Sequence, residues 1–336
     1  LGAYGTYLTV DRWFTWSRLA SLFSVQQSSV VPPGMPFQYS WLITSLSGYS
    51  TVTGDYYGIG QYIEGYNIAD LNWGTSYGSP VTVSFWVRSS VPGNYCLNFE
   101  GGAGFSPSYT VQYTVNSANA WQYIVLTVPP PLNGYTANFP NTNGAGLRLW
   151  WDLGSSDVTY AVTTPGVWQA GDKIRVTGSQ TLLATNGATM YITGVQLEKG
   201  TVATPFEFRP YPTEVALCYR YFISLGGPMY YNYFGTGVSY SATGAYILCP
   251  LPVPMRSPGT STVSVPAGSA INILGLISGV YGSAAVAAIA KDQHNLNNIE
   301  LNITSANMTT GSPYMMYTNN NLTSRSEEHT SELQSR

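Results

Sequence analysis

Apolar residues recur at every second position in a series of short segments, the alternation that a half-buried β-strand imposes on its sequence. It predicts strands over residues 56–64, 81–88, 109–115, 121–128, 147–153, 173–177 and 191–198. Connections rich in Gly, Pro and Asn separate them, as at 129–134 and 141–144. Many short strands spaced in this way predict an all-β protein built as an antiparallel sandwich. Helix is confined to one expected turn near 213–218, with Thr213 as its cap. The pattern breaks around 205–212, so the expected division is a sandwich over 1–212 and a smaller β-rich domain over 213–324. Residues 271–290 carry no charge and are long enough to span a membrane, with Gly275 and Gly279 in GxxxG spacing. Asn272, Ser278, Ser283 and the missing basic flank favour buried strands instead, so no membrane span is expected.

The two faces of the strands differ in a useful way. Over 81–88, Val81, Val83, Phe85 and Val87 share one face, and Thr82, Ser84, Trp86 and Arg88 share the other. Over 147–153, Leu147, Leu149, Trp151 and Leu153 read as core, while Arg148, Trp150 and Asp152 point the opposite way. Gln196 and Glu198 share a face of 191–198, and Tyr62 and Glu64 share one of 56–64. If these strands lie in one sheet, its polar face displays Trp86, Arg88, Arg148, Trp150, Asp152 and Gln196. Indole planes edged by planar polar groups suit sugars, whose C–H faces stack on the ring while hydroxyls bond to Arg, Asp and Gln. The same tryptophans could equally be packing beneath loops or against another subunit.

Composition narrows the chemistry. Charged residues are 9% of the chain, against roughly 25% in an average soluble protein, and aromatics reach 14% with 27 Tyr. An apolar content of 44% with a net charge of −3 excludes a disordered chain. Thirteen basic residues against sixteen acids cannot form a phosphate-tracking stripe, so no nucleic acid is expected as partner. Cys96, Cys218 and Cys249 are far apart and form no CxxC pair, which predicts buried thiols rather than a disulfide framework. Charge concentrates abruptly in residues 325–336, where Arg325 to Ser335 resembles the translation of a common sequencing-library adapter. Those residues are set aside as adapter-derived, and incomplete termini are expected on both sides. His294 is then the single histidine and reads as part of a loop, so two-histidine metal sites and a Ser-His-Asp triad have no support. No Walker or dinucleotide motif occurs.

Several longer stretches carry a resemblance. Residues 61–75 followed by 83–89 (a Q-x-I-E-G segment before S-F-W-V-R-S), residues 184–210 (V-Q-L-E-K-G-T-V-A-T-P-F-E-F-R-P within them), residues 214–222 and Asp11-Arg-Trp13 resemble a family of tail-fibre-like structural proteins of environmental bacteriophages. Tyr219 stands where that family usually has Gln. The follow-on domain resembles the family more weakly, through Pro254-Met-Arg256 and 299–314. The resemblance implies a jelly roll similar to galactose-binding-like carbohydrate-binding domains, in a homotrimeric component near the host-recognition end of a virion tail. It implies a host-surface glycan and other tail proteins as partners, assembly in the bacterial cytoplasm, and no catalytic residues. Related jelly rolls also make calcium at Glu64 or Glu198 conceivable, against simple loop-tying carboxylates.

Two alternatives remain open. A glycan-degrading tail spike needs a pair of carboxyl groups at a separation of roughly 5–9.5 Å, for which Asp152 with Asp157, or Glu64 with Asp70, are available. A ligand-free scaffold or decoration protein instead requires Trp86 and Trp150 to be covered at a contact. The sequons at Asn302, Asn307 and Asn321 are taken as chance in an Asn- and Thr-rich chain.

Overall fold

A computed structural model describes residues 7–8, 13–131, 134–223, 232–256, 271–275, 284–285, 288–295, 298–304 and 308–318. The tail at 325–336, Asn307, Asn321 and positions 276–283 and 286–287 of the charge-free stretch lie outside them. The chain forms two compact units that divide between Phe208 and Arg209.

The first unit is an antiparallel β-sandwich of jelly-roll type. One sheet holds β1 (Tyr7–Leu8), β2 (Trp13–Ser17), β5 (Tyr57–Glu64), β7 (Gly93–Gly101), β8 (Ser108–Val115), β10 (Ala145–Asp152) and β12 (Trp168–Gln169). Its order is β1-β2-β5-β10-β7-β8-β12. The other sheet holds β3 (Phe23–Ser28), β4 (Ser40–Ser45), β6 (Val81–Ser89), β9 (Gln122–Val128) and β14 (Thr189–Lys199), in the order β3-β4-β14-β6-β9. Successive strands thus pass back and forth between the sheets, and their inner faces meet. Val81, Val83, Phe85 and Val87 lose all exposure, as do Leu147, Trp151 and Leu153, with Leu149 close behind. Tyr57, Ile59, Tyr95, Leu97, Phe99, Met190 and Ile43 complete the same core.

The expected strand over 173–177 contracts to β13 (Arg175–Val176), which pairs in parallel with β11 (Ala161–Val162) just after the one-turn helix α1 (Asp157–Tyr160). These pieces belong to the chain between β10 and β14, whose parts 157–162 and 172–179, on either side of the edge strand β12, lie over the outer face of the seven-stranded sheet. Val162 and Val176 pack on Cys96. The Val176 amide donates to Cys96 Sγ at 3.2 Å, and Gln112 Nε2 donates to Ser179 Oγ at 2.9 Å. A half-polar sheet face that alternation assigns to solvent is therefore interior.

The second unit begins with α2 (Tyr211–Tyr219), a helix of nine residues rather than a single turn. Pro210 is its cap residue and Pro212 lies in its first turn, where a missing N–H costs nothing, so Thr213 is inside the helix and not its cap. Among the described residues seven strands follow: β15 (Asn232–Ser239), β16 (Gly244–Pro250), β17 (Ile271–Gly275), β18 (Ala284–Ala285), β19 (Ala288–Asn295), β20 (Asn298–Thr304) and β21 (Pro313–Thr318). They form one sheet in the order β18-β17-β21-β15-β16-β20-β19. His294 lies in β19, register-paired with Ile299, and not in a loop. Among the described residues no helix is long and apolar enough to cross a membrane. None of the three cysteines forms a disulfide.

Candidate functional site

The six residues expected on one polar face occupy two sheets. Trp86, Arg88 and Gln196 stand on β6 and β14 of the five-stranded sheet, and Arg148, Trp150 and Asp152 on β10 of the seven-stranded one. The expectation of a single shared face is corrected: both sets point away from the core, and so in opposite directions.

On the five-stranded sheet, register pairs Trp86 with Tyr123 and Thr193, and Arg88 with Tyr191. The Trp86 and Tyr123 rings lie 5.3 Å apart, and Trp121 meets Tyr191 at 6.1 Å. The Arg88 guanidinium sits 5.1 Å above the Tyr191 ring and donates to the Asn119 carbonyl at 2.9 Å. Tyr123 and Val125 on the edge strand are 44% and 45% exposed, which leaves this half of the face an open aromatic platform. Tyr123 carries a signal that sequence reasoning passed over, since alternation in β9 sets Tyr123, Val125 and Thr127 opposite Ile124, Leu126 and Val128.

The other half of that face is covered by the segment leaving β14. Gln196 donates to the Thr204 and Pro205 carbonyls at 3.4 Å and accepts from the Glu207 amide at 2.8 Å. Glu198 accepts from the Thr204 amide at 3.0 Å and from its hydroxyl. Burial pushes the Glu198 carboxyl up, but the bonds from Thr204 and Gln196 outweigh it and hold the group below the usual range. Phe206 then meets Phe37 edge-to-face at 5.2 Å, and Phe208 packs on it at a tilt at 5.8 Å. Gln196 is thus a tether and not part of the platform, and the Q-L-E and T-P-F-E pieces of the motif are the two sides of one clasp. Among the described residues no group of three or more His, Cys, Asp or Glu could hold a metal, and Glu198 acts as a loop-tying carboxylate.

On the seven-stranded sheet, three rows run across the outer face. Tyr62, Arg148, Glu100 and Ser108 form one, Phe14, Gly60, Trp150, Asn98 and Thr110 the next, and Trp16, Gly58 and Asp152 a third. Arg148, Trp150 and Asp152 are 1%, 1% and 2% exposed, so their expected display to solvent is corrected. The chain's own parts 157–162 and 172–179 and the aromatic rings of β2 cover them. Asp152 and Asp157 are both held by Arg175, at 3.4 and 2.7 Å, and Asp152 is buried, so this pair does not flank an open groove. Glu64 is likewise buried, while Asp70 is exposed and pairs with Lys199 at 3.3 Å.

This covered face holds a cleft of about 100 Å³ lined by Trp16, Tyr56, Phe105, Arg148, Trp150, Tyr160, Asp172 and Ile174. The Arg148 guanidinium stacks 4.1 Å from Phe105, 4.9 Å from Trp16 and 5.3 Å from Trp150. It pairs with Glu100 behind it and with Asp172 at 3.2 Å. Two carboxyls around one guanidinium exceed its charge, and burial, opposed by Arg148, pushes the wholly buried Glu100 well above the ordinary range.

This raised value fixes a sign. The native state keeps a proton that the unfolded chain releases above pH 4.5, so the stability tied to Glu100 is present at lower pH and lost as pH rises through the folded value. The loss is about 1.4 kcal/mol per pH unit in that window. Glu100→Gln imitates the neutral form, and urea unfolding of the variant between pH 4.5 and 8 is expected to show a slope smaller by that one-proton share. An unchanged slope would mean that Glu100 is ionised in the native protein.

No protein-family model matches the chain, and no curated protein matches it. Among solved structures, the chain is similar to the enzymatically active domain of tailspike protein 4 of bacteriophage CBA120. That match has 12% identity over 59% of this chain and 21% of that one, with a TM-score of 0.33. A family 11 carbohydrate-binding module from Clostridium thermocellum, solved with a β-1,3-1,4-mixed-linked tetrasaccharide, is similar at 11% identity over 60% of this chain and 95% of that one, with a TM-score of 0.29. A xylan-binding domain of module family 22 is similar at 11% identity over 60% and 98%, with a TM-score of 0.31. The chain spans about a fifth of the tailspike's length.

Proposed function

We propose that this protein is a non-catalytic component of a bacteriophage tail whose first unit binds a host-surface glycan. The observation that carries the reading is the open aromatic platform of Trp86, Tyr123, Trp121 and Tyr191 with Arg88 at its edge. Neighbouring rings, tilted by 40° and 60° within each pair, offer faces to the C–H groups of sugars, and a guanidinium beside them bonds their hydroxyls. The bacteriophage tail, a trimer of this chain and contacts with other tail proteins enter through the motif resemblance, and the 9% charge content suits a surface covered by sister subunits. A non-catalytic role is supported by the carboxyl groups on both faces, which are tied to Arg175, Arg148, Lys199 or Thr204.

Trp86 is half-buried at the sheet surface, so its truncation should leave the core intact. On a glycan array, followed by calorimetry with the best hit, Trp86→Ala is expected to weaken binding at least tenfold, about 1.4 kcal/mol, with little change in thermal stability. A blank array for the intact protein would overturn glycan binding. Unchanged affinity combined with a loss of oligomer mass by light scattering would favour the scaffold reading instead.

A further inference from the structure

The cleft on the seven-stranded sheet has features that the covered face does not need for packing. Trp150 Nε1 is a buried donor with no hydrogen-bond partner among the described residues; Arg148, held through Nη2 by Glu100 and Asp172, keeps Nε and Nη1 unmatched, and both side chains line the cleft. A buried donor left without an acceptor costs about 1–3 kcal/mol, so an incoming acceptor is favoured here. Asp172, its side chain one-third exposed, offers acceptor oxygens on the same wall. Phe105 closes the site from the loop before β8, at φ +54. A bulky residue in the left-handed region costs about 1–2 kcal/mol, and here it places the ring 4.1 Å from the Arg148 guanidinium. Local strain that positions one ring over one polar group is a mark of a functional site.

From this geometry we infer that the cleft above Arg148 is a second binding site, which takes the edge of a single neutral sugar residue. The inference shares with the platform only the premise that the partner is a glycan. Charge selects the class: an acidic sugar meets Asp172 and a cation meets Arg148. A hydroxyl donates to one and accepts from the other. Volume selects the mode: about 100 Å³ is well below the roughly 300–1,000 Å³ of ordinary ligand pockets, enough for one edge of a pyranose beside the Trp16–Phe105 ring pair and no more.

The test is an NMR titration of the full-length protein carrying ¹⁵N-labelled tryptophan, with the Trp150 indole signal identified through Trp150→Phe. The probes are the methyl glycosides of glucose, galactose, mannose, xylose and rhamnose, with glucuronate for comparison. At least one neutral glycoside is expected to shift the Trp150 signal, and glucuronate to need at least tenfold more. Trp86→Ala should retain the shift, whereas Asp172→Asn should weaken it at least tenfold while keeping the native thermal transition. Phe105→Ala is a second variant that leaves the ion pairs in place, and it should weaken the shift to a similar degree. Shifts confined to the Trp86 and Trp121 signals would overturn the cleft and leave the platform standing. A preference for glucuronate, or no shift at Trp150 with any glycoside, would overturn it as well. The array result decides the platform separately.

Discussion

Replacing Trp150 with alanine is expected to lower the stability of the first unit by about 3–5 kcal/mol, the range for deleting a large buried aromatic. The indole is 1% exposed and packs among Phe14, Trp16 and Ile174, with ring separations of 6.1 Å to Phe14 and 5.9 Å to Trp16. It fills the space left by Gly58, where a Cβ would stand 2.4 Å from the ring. Neighbours fixed in a sheet cannot move in to close the hole, so most of the cavity would persist. Urea unfolding followed by tryptophan fluorescence measures this in the relevant unit, because all nine tryptophans lie at or before Trp168. A change below about 1 kcal/mol would mean that parts 157–162 and 172–179 are not packed on the sheet. A loss of binding in this variant would report on folding, and the binding surfaces are better tested through Trp86, Phe105 and Asp172.

Arg175→Met should cost about as much, roughly 3–5 kcal/mol, by leaving a buried carboxylate without its partner. The Arg175 guanidinium reaches Asp152 and Asp157 and donates to the Ser155 and Ser179 carbonyls, the latter at 2.7 Å, with its side chain 3% exposed. Burial raises the Asp152 carboxyl above its ordinary value, with Arg175 and the Ser155 amide acting against the rise. With Arg175 gone, nothing of comparable strength opposes that push, and Asp152 must take up a proton for the chain to fold. Adding Asp152→Asn should recover a large part of the loss, since a neutral amide tolerates an apolar neighbour where a carboxylate does not. Additive losses in the double variant would show that the two side chains do not act as a pair.

The core was legible because alternation says which side of a strand faces inward, and in β6 and β10 it does so without exception. Alternation does not say what lies on the other side. Arg148, Trp150 and Asp152 point away from the core as their spacing requires, yet a segment beginning directly after β10 returns over them. The same covering concealed β7, in which Cys96, Asn98 and Glu100 alternate with Tyr95, Leu97 and Phe99 but are buried nearly as completely. Asn98 and Glu100 interrupt the apolar run, and this buried strand was passed over. The short strand β3 was missed for a related reason: its Ser and Gln content imitates a loop. Of the site, Trp86 and Arg88 were readable from one strand. Trp16, Phe105 and Asp172 were not, since three distant parts of the chain meet only after the sheet has formed.

The placement of Trp86 and Trp150 on opposite sheets has a consequence for valence. The sheets of a sandwich are packed about 10 Å apart, and their outer faces look away from each other. No straight oligosaccharide can lie on the platform and enter the cleft at once without turning around the edge of the sandwich. A unit engaged on both faces therefore holds two separate chains, and a trimer of such units would hold six. Each single contact could then be weak and readily released, while a dense glycan coat would still retain the assembly through the high local concentration of neighbouring chains.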